Sequence, residues 1–178
     1  YRFVNWTSSE VGTVDGEPVS TFAAEADIRK AGFTTDSIFT AHFNAKDDTT
    51  YRVEYYYESQ GRYPASKDNY EIRTGKTDAA VSVADSDKVK AGYVYDTTAS
   101  NVESGIVKGD NSLVLKLYFK QQFTVTYRPG DHEFFTEQVI GGISYGDKTP
   151  EFTGEMNITG RYVFDGWKPS VAGTVTES

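Results

Sequence analysis

The stretch Leu113–Tyr127, LVLKLYFKQQFTVTY, decides the fold. Its odd-numbered positions are almost all apolar and keep one phase over fifteen residues, with no glycine or proline to interrupt them. Such two-residue alternation is typical of a β-strand with one buried face. The strand would span about 50 Å, whereas strands in globular proteins usually have about 3 to 10 residues. We therefore expect it to belong to two neighbouring modules that meet at Gln121 and Gln122; the alternative is one long bent strand in a single sandwich.

The apolar composition also indicates strands. The chain of 178 residues contains 17 valines, 13 tyrosines and 11 phenylalanines but only 3 leucines. β-branched and aromatic side chains favour strands, whereas a helical bundle draws its core mainly from leucine and alanine. Alternation predicts strands at Tyr51–Tyr57, Tyr1–Trp6 and Tyr162–Trp167, and short helices are expected within Val81–Gly92 and Ala23–Lys30. The residues expected in the core are Phe3, Trp6, Tyr51, Val53, Tyr55, Leu115, Leu117, Phe123, Val125, Phe164 and Trp167.

Composition and charge exclude several classes of protein. The chain has no cysteine and two histidines, so disulfide scaffolds and cysteine-based metal sites are excluded. With 18 basic against 26 acidic residues, nucleic acid is not an expected partner. No run approaches the ~20 apolar residues of a membrane span, so we expect no membrane insertion in this segment. No cofactor is expected either.

An aromatic triplet occurs twice with identical spacing, and this divides the chain. We expect three units, at 1–46, 47–120 and 121–178. The triplet lies in the first unit and in the last. Its members are Tyr1, Phe3 and Trp6, and then Tyr162, Phe164 and Trp167.

The last unit resembles the internalin B-type repeat, also called the Listeria–Bacteroides repeat, of bacterial surface proteins. The resemblance is carried by Phe123–Tyr127, Tyr145–Pro150 and Tyr162–Trp167. The first unit resembles part of the same repeat, since Tyr1–Trp6 matches its most specific strand, with Asn5 in place of glycine.

The middle unit is similar to mucin-binding-protein (MucBP) type repeats. It opens with the Tyr-x-Val-x-Tyr pattern of Tyr51–Tyr55 and closes with the Leu-x-Leu-x-Phe pattern of Leu115–Phe119. The two resemblances imply a β-rich α+β fold. The chain would consist of tandem small β-grasp-like modules, each with about four strands and a short helix, in an extended array.

The resemblance also implies a function without catalytic residues. We expect a stalk or spacer of a bacterial cell-surface adhesin, attached to the cell wall through regions outside this chain, that presents a binding region away from the wall. By this resemblance, we expect the first unit to lack the opening half of a repeat and the last to lack a closing strand. Because an unpaired strand edge can recruit another strand, we expect head-to-tail association in which residues 37–43 cover the edge near Tyr162–Trp167 of another molecule.

Exposed tyrosines are the candidate binding residues. Tyr56 falls on the polar face of its strand and Tyr63 lies in a turn, so both are expected at the surface, where tyrosine can stack on sugars. The alternative function is therefore a module that binds a host glycan or mucin. Asp131, His132 and Glu133 are consecutive polar residues, but neighbours in a strand point to opposite faces, so no metal site is expected. An enzyme is not expected, because small units leave little room for a deep cleft.

Overall fold

The computed structural model describes residues 1–176, apart from the side chain of His132. Within this part of the chain the helical elements are α1 (Glu25–Ile28) and two 3-10 helices, at Asp85–Lys88 and Gly130–His132. The strands are β1 (Arg2–Val14), β2 (Glu17–Phe22), β3 (Phe39–Asn44), β4 (Thr49–Tyr57), β5 (Asn69–Gly75), β6 (Ala80–Ser82), β7 (Tyr93–Tyr95), β8 (Ser104–Ile106), β9 (Val114–Tyr127) and β10 (Gln138–Ser144).

The strands form three sheets. One has the order β2-β1-β3, and a two-stranded sheet pairs β6 with β8. The largest has the order β10-β9-β4-β5, and β7 also pairs with β9. Strand β4 runs parallel to β9, whereas β7 and β10 run antiparallel to it.

Strand β9 keeps partners along both halves of its length. Its first half pairs with β4, from Arg52 opposite Val114 to Tyr57 opposite Phe119. Its second half pairs with β10, where Ser144 lies opposite Gln122. The sheet therefore continues through the polar pair at which two modules were expected to meet.

The expected tandem β-grasp-like modules, each with a helix and arranged in an extended array, are not found, and this prediction of the fold is wrong. The chain is β-rich as expected, but its helical elements have only three or four residues each. The expected helix within Val81–Gly92 is reduced to one 3-10 turn, in which Asp87 accepts a hydrogen bond from the amide of Ala84 at 2.7 Å. The physical reason for the error lies in β9, because its uninterrupted alternation permits one strand to serve both halves of a single sheet.

The described residues divide into two compact units, each made of separate stretches of chain. Unit 1 comprises Tyr1–Tyr51, Ile72–Val81 and Gly105–Leu113. Unit 2 comprises Arg52–Glu71, Ser82–Ser104 and the chain from residue 114 onward. These interleaved stretches do not coincide with the ranges 1–46, 47–120 and 121–178.

The core of unit 2 lies on one face of β4 and β9. Leu115, Leu117 and Phe119 alternate along β9 and are buried, as are Val53 and Tyr55 on β4. Burying an aliphatic or aromatic side chain of this size contributes about 1.5–3 kcal/mol. The expected core residues Trp6, Phe123, Val125 and Trp167 are half-buried, whereas Phe3 and Phe164 are exposed.

Unit 1 is organised around aromatic rings on one face of its three-stranded sheet. The ring centroids of Phe22, Phe33 and Phe39 lie 5.3–6.3 Å apart. Gly12 lies against this cluster, and a Cβ at that position would lie 2.7 Å from the ring of Phe33 and would force the ring to move. In the same unit Tyr51 is buried, as the sequence pattern predicts.

The second aromatic triplet does not form the expected strand. Tyr162–Trp167 has no regular secondary structure, although Tyr1–Trp6 enters β1 as predicted. A strand needs a partner strand for its backbone groups, and its own alternation cannot supply one. None of the helices in the described part of the chain is long and apolar enough to cross a membrane.

Truncation of Leu117 tests the assignment of the core. Leu117 is fully buried, so Leu117→Ala removes packed methyl groups and should lower the free energy of unfolding by about 3 kcal/mol. Val89→Ala is the control, because Val89 is exposed and its truncation should change stability by less than about 0.5 kcal/mol. Urea unfolding followed by tryptophan fluorescence measures both, and equal midpoints for the two variants would contradict the assignment.

Candidate functional site

The face of β4 that alternation assigns to solvent is covered. Tyr56 is only 7% exposed, and Glu54 on the same strand and Glu58, one residue beyond its end, are buried. The Tyr56 ring stacks on Tyr118 of β9, with the centroids 4.6 Å apart, and its hydroxyl donates a hydrogen bond to Oε2 of Glu54 at 2.9 Å. Burial, together with this hydrogen bond, raises the pKa of Tyr56 to about 12. The exposed ring that was expected at Tyr56 is therefore not found.

Tyr63 helps to cover this face from the connection between β4 and β5. Its ring meets Tyr118 edge-on, with the centroids 5.0 Å apart, and its hydroxyl donates a hydrogen bond to Oδ2 of Asp96 at 2.8 Å. Burial raises the pKa of Tyr63, and the hydrogen bond to Asp96 raises it further. Tyr63 is half-buried, so its phenol is engaged in packing. A role of Tyr56 and Tyr63 in binding stays a prediction.

Asp96 is the charged centre of this layer. It is 5% exposed, and Thr98 donates two hydrogen bonds to its Oδ1, from the amide at 2.9 Å and from the hydroxyl at 2.6 Å. The Lys120 ammonium lies 3.4 Å from the same oxygen. Burial by itself raises the pKa of Asp96, but the hydrogen bonds from Thr98 and Tyr63 and the charge of Lys120 outweigh it and lower the pKa to about 2.

We call Tyr56, Tyr118, Tyr63 and Asp96 the tyrosine–aspartate network. At neutral pH Asp96 is ionised and the two donating tyrosines are protonated, so the network has neither a ready acid nor a ready base. Its chemistry is that of a satisfied buried polar layer, which fixes the covering connections on the sheet. The sequence offered one local sign of it, because Asp96 precedes two threonines in a pattern that favours an Asx turn.

An aromatic cleft in the chain beyond Phe123 was not anticipated. Its volume is about 820 Å³, and Phe123 and Val125 of β9 form one side while the segment from Tyr162 to Thr176 forms another. Trp167 also lines the cleft, and its ring centroid lies 4.6 Å from that of Tyr127 and 5.3 Å from that of Phe152. This volume falls in the range of about 300–1,000 Å³ that is typical of ligand pockets. The sequence signal was the density of aromatic residues beyond position 133.

The consecutive residues Asp131, His132 and Glu133 lie at a 3-10 helix and the residue that follows it. Asp131 and Glu133 are exposed, and the side chain of His132 lies outside the described residues. Glu133 adopts a left-handed backbone with φ of 47° at the end of a 3-10 helix. Among the described residues, no three histidine, aspartate or glutamate side chains group in a way that could hold a metal ion.

Removing the charge of Asp96 tests the network. A pKa held below 3.8 in the folded protein gives a contribution that is present above pH 4 and is lost as the pH falls through about 2. The shift corresponds to roughly 2 kcal/mol. Asp96→Asn should therefore lower the free energy of unfolding by about that amount at pH 7, and its difference from the wild type should shrink towards pH 2.

Asp165→Asn is the matched control, because Asp165 is exposed and its contact with Lys168, at 3.6 Å, is an exposed ion pair. Denaturant unfolding at pH 7, 4 and 2 measures both variants. A penalty for Asp96→Asn that stays constant over this pH range would contradict the ionised network.

Comparison of the chain with protein-family models, with curated proteins and with solved structures finds no match.

Proposed function

We propose that this chain is a non-catalytic spacer segment of a bacterial cell-surface protein, and that it transmits tensile force while holding a binding region away from the cell wall. The extracellular location and the attachment through regions outside the chain rest on the resemblance of Phe123–Tyr127 and Tyr162–Trp167 to surface repeats. The mechanical role rests on the geometry of β4 and β9.

The parallel pairing of β4 with β9 carries this proposal. Six residue pairs lie in register, from Arg52 and Val114 to Tyr57 and Phe119. In a parallel pair, the amino end of one strand and the carboxyl end of the other lie at opposite ends of the ladder. Tension applied at those two ends makes the strands slide along each other, so all the hydrogen bonds of the ladder resist together.

Packing on both faces supports the same role. Leu117 and Phe119 cover one face of the pair, and the tyrosine–aspartate network covers the other. Because both faces are covered, water has little access to compete for the ladder hydrogen bonds. The carboxyl half of β9 is held in turn by β10, down to Tyr127 opposite Gln138.

The state of the buried acids supports a non-catalytic role. Glu54 accepts a hydrogen bond from Tyr56, and Glu58 accepts one from the amide of Gln121 at 3.1 Å. Asp96 is held ionised by its donors. The alternative of glycan or mucin binding through Tyr56 and Tyr63 is less favoured, because both phenols already donate hydrogen bonds to carboxylates.

Single-molecule pulling tests the proposal, and the absence of native cysteine makes the attachment points unambiguous. In the double variant Arg52→Cys, Arg128→Cys, force enters at opposite ends of the parallel pair and shears it. In the double variant Arg62→Cys, Arg128→Cys, both attachment points follow the carboxyl ends of β4 and β9. The two strands are then pulled apart from one end, so the hydrogen bonds of the ladder break one after another. We expect a several-fold higher unfolding force in the first geometry, since forced unfolding follows the unfolding barrier.

The second double variant serves as the control, because it shares one handle and the same core. Equal unfolding forces in the two geometries would contradict a mechanical role for the pairing of β4 with β9.

A further inference from the structure

The first aromatic triplet shows how this motif is paired in the fold. Tyr1–Trp6 leads into β1, and β1 lies antiparallel to β3 with Phe3 opposite Phe43 and Trp6 opposite Ala41. The Phe3 ring contacts those of Trp6 and Phe43, with centroids 6.0 and 5.6 Å away. Strands β1 and β3 are therefore held together both by backbone hydrogen bonds and by contacts between aromatic rings.

The second triplet has the same spacing but a different environment. Tyr162–Trp167 has no strand structure, Val163 is 87% exposed and Phe164 is 45% exposed. Phe164 contacts Trp167, with the centroids 5.2 Å apart, much as Phe3 contacts Trp6. The segment borders the aromatic cleft, which offers apolar surface to any strand laid beside it.

We propose that residues 162–167 form an acceptor edge for β3 of a second copy of this chain. Strand β3 lies at the edge of its sheet, so within the described residues only one of its edges is paired. The other edge can pair with 162–167 in the register that β3 already uses with the first triplet. Phe43 then lies opposite Phe164, Ala41 opposite Trp167 and Asn44 opposite Val163.

The opposite net charges of the two segments favour this occupant. The segment 161–168 carries two basic residues and one acid, whereas the segment 36–48 carries three acids and one lysine. In this antiparallel register Arg161 lies opposite Lys46 and beside Asp47, and Lys168 lies opposite Thr40, so the attraction is between the net charges of the two segments and not between facing pairs. Since these groups are at the surface, added salt should weaken the pairing.

The expected contact is small. Stable protein interfaces bury about 1,200–2,000 Å² in total, and one strand of six residues buries less. The association should therefore be weak and reversible, and trapping it covalently is the appropriate test. The inference goes beyond the mechanical role, and its test does not involve pulling.

Disulfide trapping between two single-cysteine variants tests the register. Val163→Cys in one preparation is mixed with Asn44→Cys in another, in a glutathione redox buffer. Residues directly opposite in an antiparallel pair have Cβ atoms about 4.5–5.5 Å apart, which a disulfide can bridge with small movements. We expect the mixed dimer to form about tenfold faster than in the control mixture, equivalent to about 1.4 kcal/mol.

The control mixture pairs Val163→Cys with Val89→Cys, because Val89 is similarly exposed and lies outside the proposed contact. Faster trapping of the 163–44 dimer, slowed by added salt, supports the proposal. Equal rates in the two mixtures overturn it.

A peptide with the sequence of residues 36–48 provides a second measurement. Added in excess, it should occupy the acceptor edge and slow the trapping, whereas a peptide of reversed sequence should not. If the reversed peptide slows the trapping equally, the segment 162–167 binds apolar peptides without a fixed strand register, and the proposed pairing is overturned. Slower trapping with the native peptide but not with the reversed peptide supports the proposed pairing.

Discussion

The pairing of β9 on both of its edges is the constraint on which the rest of unit 2 depends. β4 lies along one edge of its first half, β7 pairs with it antiparallel, and β10 pairs with its second half. The polar residues in the middle are included in this pairing. The amide of Gln121 donates to Oε2 of Glu58 at 3.1 Å, and that of Gln122 donates to the carbonyl of Gly92 at 2.9 Å. What could have been a linker is thus a bonded part of the sheet.

Both faces of this sheet are covered. On the apolar face, the buried side chains are Leu115, Leu117 and Phe119. The other face is polar, and it is covered by groups that satisfy one another, with Tyr63 and Asp96 brought from separate connections. Breaking such a network leaves buried groups without partners, which costs more than the loss of one surface hydrogen bond. Tyr56 and Tyr63, which were expected at the surface, make ring contacts with Tyr118 on this covered face.

Much of the strand pattern could be predicted from sequence, and the pairing could not. Alternation located β9 and β4, because two-residue periodicity is a local property. The Tyr56 ring stacks on Tyr118 of the neighbouring strand, and alternation within one strand does not show such a contact. The aromatic triplets make the same point: Tyr1–Trp6 becomes a strand because Phe39–Asn44 pairs with it, while the identical spacing at Tyr162–Trp167 does not produce a strand. The sequence pattern does not show which distant segments pair with each other. The same pairing, along β9, is the reason that tandem modules are not found.

Native-state hydrogen exchange of the β9 amides tests the continuity of this strand most directly. Amides that open only with the whole unit exchange with the free energy of global unfolding, whereas a flexible junction exchanges through local opening. The account predicts that Gln121 and Gln122 are protected to the same extent as Leu117 in the first half of the strand. Fast exchange at Gln121 and Gln122, with different protection on their two sides, would contradict it and would restore two modules joined by a linker.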